Sequence, residues 1–446
     1  MPFDGTNAES HMIENVKALN KDGNYANALI ALEEVNNKDR YYYYEAAKTA
    51  LGLKNYDVTI DNINKVLAMK ADWVGACGIK VAALNHLRKF DGIAPALIDL
   101  INNSAKATNR ESSFASIFNE LLDYKVPGIL IMLDAVLEYY RFKLGADDFY
   151  NFYKGIVNSN TGQLRLASSN FNSVTNLESF GRHSTGAASF NFGENLDEIL
   201  NRNEARQLTP IKFSKKKIPA STYDTVMLAS CDNGYFETFI ELLISSISSK
   251  LERKVFHIHV INPSKRTLAK CSEIARKYHF FNFSHEVNPS AQKLEFACSR
   301  FIRLEEFLHV YKKDVVVCDM DSCFIQDFDV DVLLRDRDIA VKVDNKCKLH
   351  FYPWRQFIAS FVVFKYNPTT LRFTKDLSKF LTYFVDRKDR DYWYVDQTAL
   401  FCLLEQHAER HNLGYRLIER TSHIVLVPNA KSESKKEFVE RMLETV

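Results

Sequence analysis

Two aspartates stand one residue apart at the end of an apolar run, in the stretch KDVVVCDMDSCFIQDFD from Lys313 to Asp329. Side chains two residues apart on an extended segment point the same way, so Asp319 and Asp321 can face one ligand. Their like charges repel, and a hard divalent cation such as Mg²⁺ or Mn²⁺ would offset that repulsion by binding carboxylate oxygens. A diphosphate could supply further ligands, and the cation would then neutralise charge on a phosphate leaving group.

The context of this pair matters more than its spacing. Other aspartates occur at the same spacing, among them Asp327 with Asp329, Asp336 with Asp338, and Asp389 with Asp391. Only the pair Asp319 and Asp321 directly follows a four-residue apolar strand. We therefore treat this pair as the candidate metal site.

From Tyr223 onward, the chain alternates between strand and helix patterns. The apolar runs DTVMLASCD and KVFHIHVIN predict buried strands, and each is followed by an amphipathic helical pattern. Such alternation predicts a parallel α/β sheet, in which ligands bind at the carboxyl ends of the strands. Polar residues follow both DTVMLASCD and DVVVCDMD, so these two strand ends are expected to form the site.

An earlier region has helical periodicity and repeats itself. Tyr25, Tyr56 and Phe90 each begin a helical pattern after a short polar turn, at intervals of 31 and 34 residues. A helix pair that recurs at about 34 residues indicates stacked helical hairpins. The region resembles the tetratricopeptide repeat family, which implies that it binds a protein partner or mediates homodimerisation. A rigid helical cap on the neighbouring domain is the alternative.

These patterns divide the chain into four segments. Residues 1–11 are interpreted as an expression scar, and residues 12–157 as the all-α helical-repeat domain. Residues 158–218 are rich in Ser, Asn, Thr and Gly with little periodicity, which is typical of a connector. Residues 219–446 form the predicted α/β domain.

Composition narrows the functional class and the compartment. A net charge of +2 argues against a nucleic-acid binder. The eight cysteines show no zinc-ligand spacing, which predicts reduced thiols and a cytoplasmic protein. No apolar run approaches the ~18 residues of a transmembrane helix. The basic runs, Lys215 to Lys217 and Lys431 with Lys435 and Lys436, are interpreted as solvated surface.

The segment from Tyr223 to about His423 resembles a nucleotide-sugar-dependent glycosyltransferase of the GT-A fold, closest to the retaining enzymes of family 8. Five stretches match in order: DTVMLASCDNGYFETFIELLISSI, FACSRFIRLEEFL, DVVVCDMDSCFIQDFD, FIASFVVFKYNP and WYVDQTALFCLL. The resemblance implies a Rossmann-like α/β domain and Mn²⁺ or Mg²⁺ as cofactor. The donor would be a nucleoside-diphosphate-sugar, with a UDP-sugar favoured, and the acceptor a hydroxyl of a protein or glycan.

The resemblance also implies three groups of site residues. The metal ligands would be Asp319, Asp321 and His423. The donor-binding residues would be Ala229, Ser230, Cys231, Asp232, Arg300, Arg303, Asp319 and Asp321. The residues near the anomeric centre or the acceptor would be Asp396 and Gln397.

Several of these residues have a second interpretation. Arg300 and Arg303 lie three apart on one predicted helix face and suit a phosphate clamp, but an ion pair with Glu305 or Glu306 explains them equally. Asp396 could be the N-terminal acid of a helix, where the helix dipole favours it. His423 could be a hydrogen-bonded histidine at a strand edge.

The chain departs from the family at two places. Ala359, Ser360 and Phe361 stand where the family has an Asn and a Gly, which affects the acceptor contacts. His423 lacks the Gly and Trp that follow the family's metal-binding histidine.

Two other functions remain open. The domain could be a degenerate transferase, which would make the protein a non-catalytic repeat scaffold. An apolar strand that enters Asp-x-Asp also occurs in phosphatases of the haloacid dehalogenase type. Those enzymes need Thr or Val where this chain has Cys323, and a later strand that ends in paired acids.

Overall fold

The computed structural model describes residues 5–103, 110–123, 128–181, 184–190, 196–201, 208–213, 220–248, 250–343, 351–387, 389, 392–419, 421, 423–428 and 434–445. The chain divides into two compact units, Met1–Ser184 (the helical unit) and Thr185–Val446 (the α/β unit). The division falls inside the segment 158–218. Lys215, Lys216, Lys217, Asp391 and Lys431, which the sequence analysis singled out, lie outside the described residues. In the described part of the chain, no helix is long and apolar enough to cross a membrane.

The described elements of the helical unit are all helices. They are α1 (Gly5–Lys21), α2 (Tyr25–Glu33), α3 (Arg40–Gly52), α4 (Tyr56–Met69), α5 (Val74–His86), α6 (Ile93–Asn103), α7 (Arg110–Asp123), α8 (Ile129–Leu144), α9 (Asp148–Asn160) and α10 (Leu164–Asn172), with short 3₁₀ helices at Phe90–Gly92 and Leu177–Phe180. Helix α10 lies within the segment interpreted as a connector, and it packs against α9.

Local capping explains where several of these helices begin. The Asp39 carboxylate accepts hydrogen bonds from the backbone N–H groups of Tyr41 and Tyr42, both at 2.9 Å, which caps α3. The Asp147 carboxylate caps α9 in the same way. Ala28 and Ala47 are fully buried, each within a hydrophobic cluster between helices of this unit.

The α/β unit contains a large sheet with helices around it. The strands are β1 (Lys212–Phe213), β2 (Thr225–Asp232), β3 (Lys254–Ile261), β4 (Phe281–Glu286), β5 (Asp314–Cys318), β6 (Cys323–Phe324), β7 (Ile339–Val343), β8 (Phe357–Phe364), β9 (Tyr415–Ile418) and β10 (Val425–Leu426). The helices are α11 (Leu196–Asn201), α12 (Asn233–Ser248), α13 (Lys265–Lys277), α14 (Lys293–Ile302), α15 (Leu304–Tyr311), α16 (Val330–Leu334), α17 (Pro353–Gln356), α18 (Pro368–Val385), α19 (Val395–His411) and α20 (Lys435–Leu443), with 3₁₀ helices at Ser184–Phe190 and Ala220–Thr222.

The strand order in the large sheet is β1-β4-β3-β2-β5-β8-β7-β9. Strands β4, β3, β2 and β5 run parallel, β8 is antiparallel to both β5 and β7, and β9 is parallel to β7. Strands β6 and β10 form a separate antiparallel pair. The expectation of an all-helical region followed by an α/β unit is confirmed. The sheet is mostly parallel and not wholly so as predicted, because β1 and β8 are antiparallel to their neighbours.

The order of the parallel strands reverses between β2 and β5, which is where open α/β sheets have their ligand-binding crevice. The chain runs outward from β2 to β3 and β4, and then returns to the other side of β2 to form β5. Ligands of open α/β sheets bind where the strand order reverses, outside the carboxyl ends of the strands. Strand β2 ends at Asp232, and β5 ends at Cys318, directly before Asp319.

Gly186 allows the backbone of the 3₁₀ helix Ser184–Phe190 to pack directly on the indole of Trp354, which is fully buried. A Cβ atom at this glycine would overlap the indole ring. We expect Gly186→Ala to lower the free energy of unfolding by about 2 kcal/mol, because the core must shift to relieve the overlap. Urea denaturation measures this, with Gly234→Ala as the control, since its added Cβ would meet its nearest neighbour at 3.6 Å. An unchanged midpoint in Gly186→Ala would contradict the prediction.

Candidate active site

A buried arginine connects two of the predicted site carboxylates. The Arg300 Nη2 atom on α14 lies 2.8 Å from Asp319 Oδ1 and 3.6 Å from Asp396 Oδ2. The Arg300 side chain is only 7% exposed, and Asp396 lies in the first turn of α19. The structure therefore brings Arg300, Asp319 and Asp396 together at the end of β5.

Contacts from two strands, which lie on either side of β5, hold Arg300 in place. Its backbone N–H donates to Ser230 Oγ at 2.9 Å, and that hydroxyl donates to the Phe296 carbonyl at 3.0 Å. The Arg300 Nη2 atom also donates to the Ala359 carbonyl at 3.4 Å. Strands β2 and β8 thus fix the position of the guanidinium on α14.

Asp321 lies in a turn and not on an extended segment. The Ser322 N–H donates to the Asp319 carbonyl at 3.2 Å, which closes the turn directly after β5. The Tyr235 hydroxyl donates to Asp321 Oδ2 at 2.9 Å, and the Tyr235 N–H donates to Asp232 Oδ1 at 2.7 Å. Tyr235, which the sequence analysis missed, therefore connects the end of β2 to the aspartate pair.

Lys435 is a second residue that the sequence analysis did not assign to the site. Its Nζ atom lies 3.4 Å from Asp321 Oδ2 and 4.0 Å from the centre of the Tyr235 ring. The side chain of Lys435 is 51% exposed, so it lies at the surface as the sequence analysis expected, but its ammonium group also faces Asp321. The side chain of Lys436 is 85% exposed.

Helix α20 positions Lys435. Ser434 and Glu437 form a capping box that begins the helix at Lys435. Phe438 and Met442 bury their side chains in the core of the α/β unit, and α20 packs against α12, which carries Tyr235. The Ser-x-x-Glu pattern is the sequence signal that could have located this helix start. Its contact with Asp321 depends on tertiary packing.

The site carries an excess of negative charge. Its carboxylates are Asp232, Asp319, Asp321 and Asp396, and its cations are Arg300 and Lys435. Burial and the charge of Asp319 raise the pKa of Asp321 from its ordinary 3.8 to about 7, while Arg300 opposes the rise. Burial raises the pKa of Asp396 to about 6, again against Arg300. Burial lowers the pKa of Lys435, and Asp232 opposes that change. A bound proton or cation would stabilise this cluster.

The predicted nucleotide-binding residues of β2 divide between the two faces of the sheet. Ala229 and Cys231 are buried in the hydrophobic core. Ser230 and Asp232 lie on the opposite face, because successive side chains of a strand alternate. Ser230 contacts α14, and Asp232 lies at the start of α12, so only these two can place side chains at the site.

Arg303 does not share the position of Arg300. Helix α14 ends at Ile302, so Arg303 lies at the junction with α15 and its side chain takes another direction. It forms an ion pair with Glu286 and lies 2.7 Å from Glu306 Oε1, and it also donates to the Thr209 carbonyl at 2.6 Å. The ion-pair interpretation therefore applies to Arg303, and no clamp forms from the two arginines.

His423 lies in an exposed turn just before β10. Within the described ranges, no three His, Cys, Asp or Glu side chains lie close enough together to hold a metal ion. The structure thus does not bring His423 to the aspartate pair. Asp319 and Asp321 remain the residues that could bind a cation.

Gln397 stabilises the start of α19. With its amide oriented to satisfy its neighbours, the side-chain nitrogen donates to the carbonyls of Trp354 at 3.2 Å and Phe357 at 2.7 Å. These bonds connect α19 to α17 and β8. Gln397 therefore positions the neighbouring Asp396.

Comparisons with known proteins identify no family. No protein-family model matches the chain, and no curated protein matches it either.

Proposed function

We propose that this protein is a metal-dependent glycosyltransferase of the GT-A fold, which moves a sugar from a nucleoside-diphosphate-sugar to a hydroxyl acceptor. A UDP-sugar is the favoured donor, and retention of configuration follows from the family 8 resemblance. The observation that carries the proposal is the carboxylate pair at the end of β5, with Arg300 buried between Asp319 and Asp396.

The strand order supports a nucleotide ligand. The sequence β4-β3-β2-β5 reproduces the order 3-2-1-4 of doubly wound nucleotide-binding sheets. Asp232 is the last residue of β2 and would face the nucleotide. Ser230 accepts a hydrogen bond from the backbone N–H of Arg300 and so holds α14 against β2. Both strand ends of the crevice therefore carry polar side chains.

The aspartate pair fits a hard divalent cation. Mg²⁺ is commonly bound by one or two carboxylates together with substrate phosphates, so a third protein ligand is not required. Burial first, and then the negative charge of Asp319, raises the pKa of Asp321, and a cation bound to both carboxylates would offset that charge. When bound, Mn²⁺ or Mg²⁺ would supply charge stabilisation to the departing diphosphate.

Different residues of the protein would bind the cation and orient the two substrates. Asp319 and Asp321 would hold the cation, with Tyr235 orienting Asp321 through its hydroxyl. Arg300 contacts both Asp319 and Asp396 and so fixes their relative position. The donor bound near Asp319 and the acceptor bound near Asp396 would then be held in one relative orientation. Asp396 would lie at the anomeric centre or the acceptor hydroxyl, held by Gln397.

We also propose a role for the helical unit, which would bind a protein partner or a second copy of this chain.

The proposed cellular location is the cytoplasm. It is supported by the buried free thiols of Cys77, Cys231, Cys271, Cys298, Cys318, Cys323 and Cys402.

The test is metal-dependent release of nucleoside diphosphate from a panel of UDP-, GDP- and ADP-sugars. We expect slow hydrolysis of one donor by the wild type with Mn²⁺, and none by Asp319→Ala with Asp321→Ala. Asp331→Asn with Asp336→Asn is the matched control, because both of these aspartates are exposed and lie outside the site. If no donor is bound or cleaved with any metal, the pair is structural and the proposal fails.

One observation favours a non-catalytic scaffold as the second candidate. Arg300 and Lys435 offset the charges of Asp319 and Asp321 without a metal ion. A degenerate transferase could use these contacts to stabilise its fold. Such a protein would bind neither the metal nor any donor of the panel.

Lys435 is expected to compete with a cation for Asp321. Lys435→Met should tighten Mn²⁺ binding about three- to tenfold in the absence of nucleotide, because it removes a positive charge 3.4 Å from a ligand oxygen. Titration followed by the electron paramagnetic resonance of free Mn²⁺ measures the affinity. Lys436→Met is the control, since that side chain points into solvent. Unchanged or weaker Mn²⁺ binding in Lys435→Met would contradict the competition.

A further inference from the structure

Arg355 is a half-buried cation without a partner of opposite charge. Its Nε atom is fully buried and has no hydrogen-bond partner among the described residues. In the same described part of the chain, its guanidinium takes part in no ion pair. The guanidinium carbon lies 5.3 Å from the centre of the Tyr394 ring, so an aromatic face and not an acceptor packs against it. All of its side-chain N–H groups are therefore available to a ligand.

Arg355 differs in this respect from the other described arginines of the α/β unit that are not exposed. All of those have an acceptor: Arg300 has Asp319, Arg303 has Glu286, Arg387 has Asp389, and Arg416 has the Val332 carbonyl. Buried polar groups in folded proteins are nearly always hydrogen-bonded, and an exception commonly marks a functional role or a bound ion. The planar fork of a guanidinium matches the two oxygens of a carboxylate or a phosphate.

The Tyr394 hydroxyl is a second donor beside this guanidinium. Tyr394 is half-buried and is the N-cap residue of α19. Its hydroxyl has no hydrogen-bond partner among the residues that the structure describes. The ring faces the Arg355 guanidinium, so both groups can donate to one ligand. Two adjacent donors without an acceptor suit a group that only accepts hydrogen bonds, which an ionised carboxylate or a phosphate does.

Two contacts tie Arg355 to the start of α19. The side chain of Gln397 donates to the carbonyls of Trp354 and Phe357, which flank Arg355 in the sequence. The ring that packs on the guanidinium belongs to the N-cap residue of the same helix. Arg355 is thus held at the first turn of α19, which also contains Asp396.

We propose that Arg355 and Tyr394 bind a carboxylate or phosphate group of the acceptor, which is therefore an acidic sugar such as a uronic acid or a sugar phosphate. The inference rests on the proposed transferase function, which places the acceptor hydroxyl near Asp396. The guanidinium would donate to two oxygens of the anion, and the Tyr394 hydroxyl would donate to one of them. An acidic sugar on the donor is the other source of such a group.

Binding of small sugars tests this anion site without turnover. Isothermal titration calorimetry, with and without UDP and Mn²⁺, would compare D-glucuronate and D-glucose 6-phosphate with D-glucose. We expect both anions to bind at least about tenfold more tightly than glucose, and Arg355→Met to remove the difference. Arg276→Met is the matched control, since this exposed arginine of α13 changes the net charge equally. Anions that bind no more tightly than glucose, or equally well to Arg355→Met, would overturn the proposal.

Two milder variants keep the test decisive if Arg355→Met does not fold. Arg355→Lys keeps the charge and loses the planar fork, so it should retain only part of the preference for anions. Tyr394→Phe keeps the ring and removes only the hydroxyl, and we expect it to weaken binding of the anions about threefold to tenfold. Binding of D-glucose should not change in either variant. Wild-type affinity for the anions in both variants would contradict the assignment.

Transfer kinetics separate this inference from the proposed function. We expect Arg355→Met to raise KM for an acidic acceptor at least about tenfold, with a smaller effect on kcat. If UDP-glucuronate is the preferred donor and Arg355→Met removes that preference, the anion belongs to the donor and the acceptor assignment is overturned. If the wild type binds the anions through Arg355 but cleaves no donor with any metal, the proposed function is overturned and the anion site is supported.

Discussion

Replacing Asp321 by Asn is expected to stabilise the metal-free protein at pH 8 and to reduce metal-dependent donor cleavage at least about a hundredfold. In the folded protein, burial and Asp319 raise the pKa of Asp321 to about 7, above its ordinary 3.8. The folded state therefore binds a proton more tightly than the unfolded chain. The stabilisation that this proton provides is fully present below about pH 4 and is lost as the pH rises through about 7.

The size of this effect follows from the two pKa values. The difference between about 7 and 3.8 corresponds to at most about 4 kcal/mol, at 1.36 kcal/mol for each pH unit. Asn has no charge to bury, so Asp321→Asn should be about 2–4 kcal/mol more stable than the wild type at pH 8. At pH 4 the two proteins should differ little.

Urea denaturation in the presence of EDTA, at pH 4 and pH 8, measures the difference. Adding Mn²⁺ should stabilise the wild type and leave Asp321→Asn unchanged, because a ligand stabilises only the state that binds it. Asp331→Asn is the control, since this aspartate is exposed in α16. A variant that is less stable than the wild type at pH 8 would show that the carboxylate makes net favourable contacts.

Replacing Arg300 by Met is expected to cost about 3–5 kcal/mol of folding free energy at pH 8 and to abolish donor cleavage. Removing one member of a buried ion pair leaves an uncompensated charge, and here it leaves two, on Asp319 and Asp396. The Ser230 contact uses the backbone of Arg300 and survives the change. The loss of folding free energy in Arg300→Met should therefore be mainly electrostatic.

The pH dependence of Arg300→Met separates charge from packing. Because Arg300 lowers the pKa of Asp396, the pKa of this carboxyl should be higher in Arg300→Met than the value of about 6 in the wild type. The loss of stability should therefore shrink as the pH falls towards about 6, where the variant already holds the proton that removes one buried charge. Arg300→Met combined with Asp396→Asn should recover part of the stability at pH 8. Arg410→Met is the control, since its ion pair with Asp197 is half exposed and such pairs contribute little. An equal loss at every pH would indicate packing and not charge.

The sequence by itself determined the secondary structure around the site. The buried strands β2 and β5 follow from the apolar runs TVMLASC and DVVVC, because burial on both faces requires continuous apolar sequence. The aspartate pair at the end of β5 follows from the same local pattern. Helical periodicity before residue 158, and strand–helix alternation after Tyr223, predicted the all-helical region and the α/β unit. These features depend on residues that are close in sequence.

Only the tertiary structure decided which charges meet. Arg300 and Arg303 look equivalent in sequence, but the helix break at Arg303 sends one to Asp319 and the other to Glu286. Lys435 resembles its neighbour Lys436, yet the packing of Phe438 and Met442 turns only Lys435 towards Asp321. Partners far apart in the chain are chosen by how helices dock on the sheet. Burial of apolar side chains stabilises that docking. The residues next to a charged side chain in the sequence therefore do not show which partner it will meet.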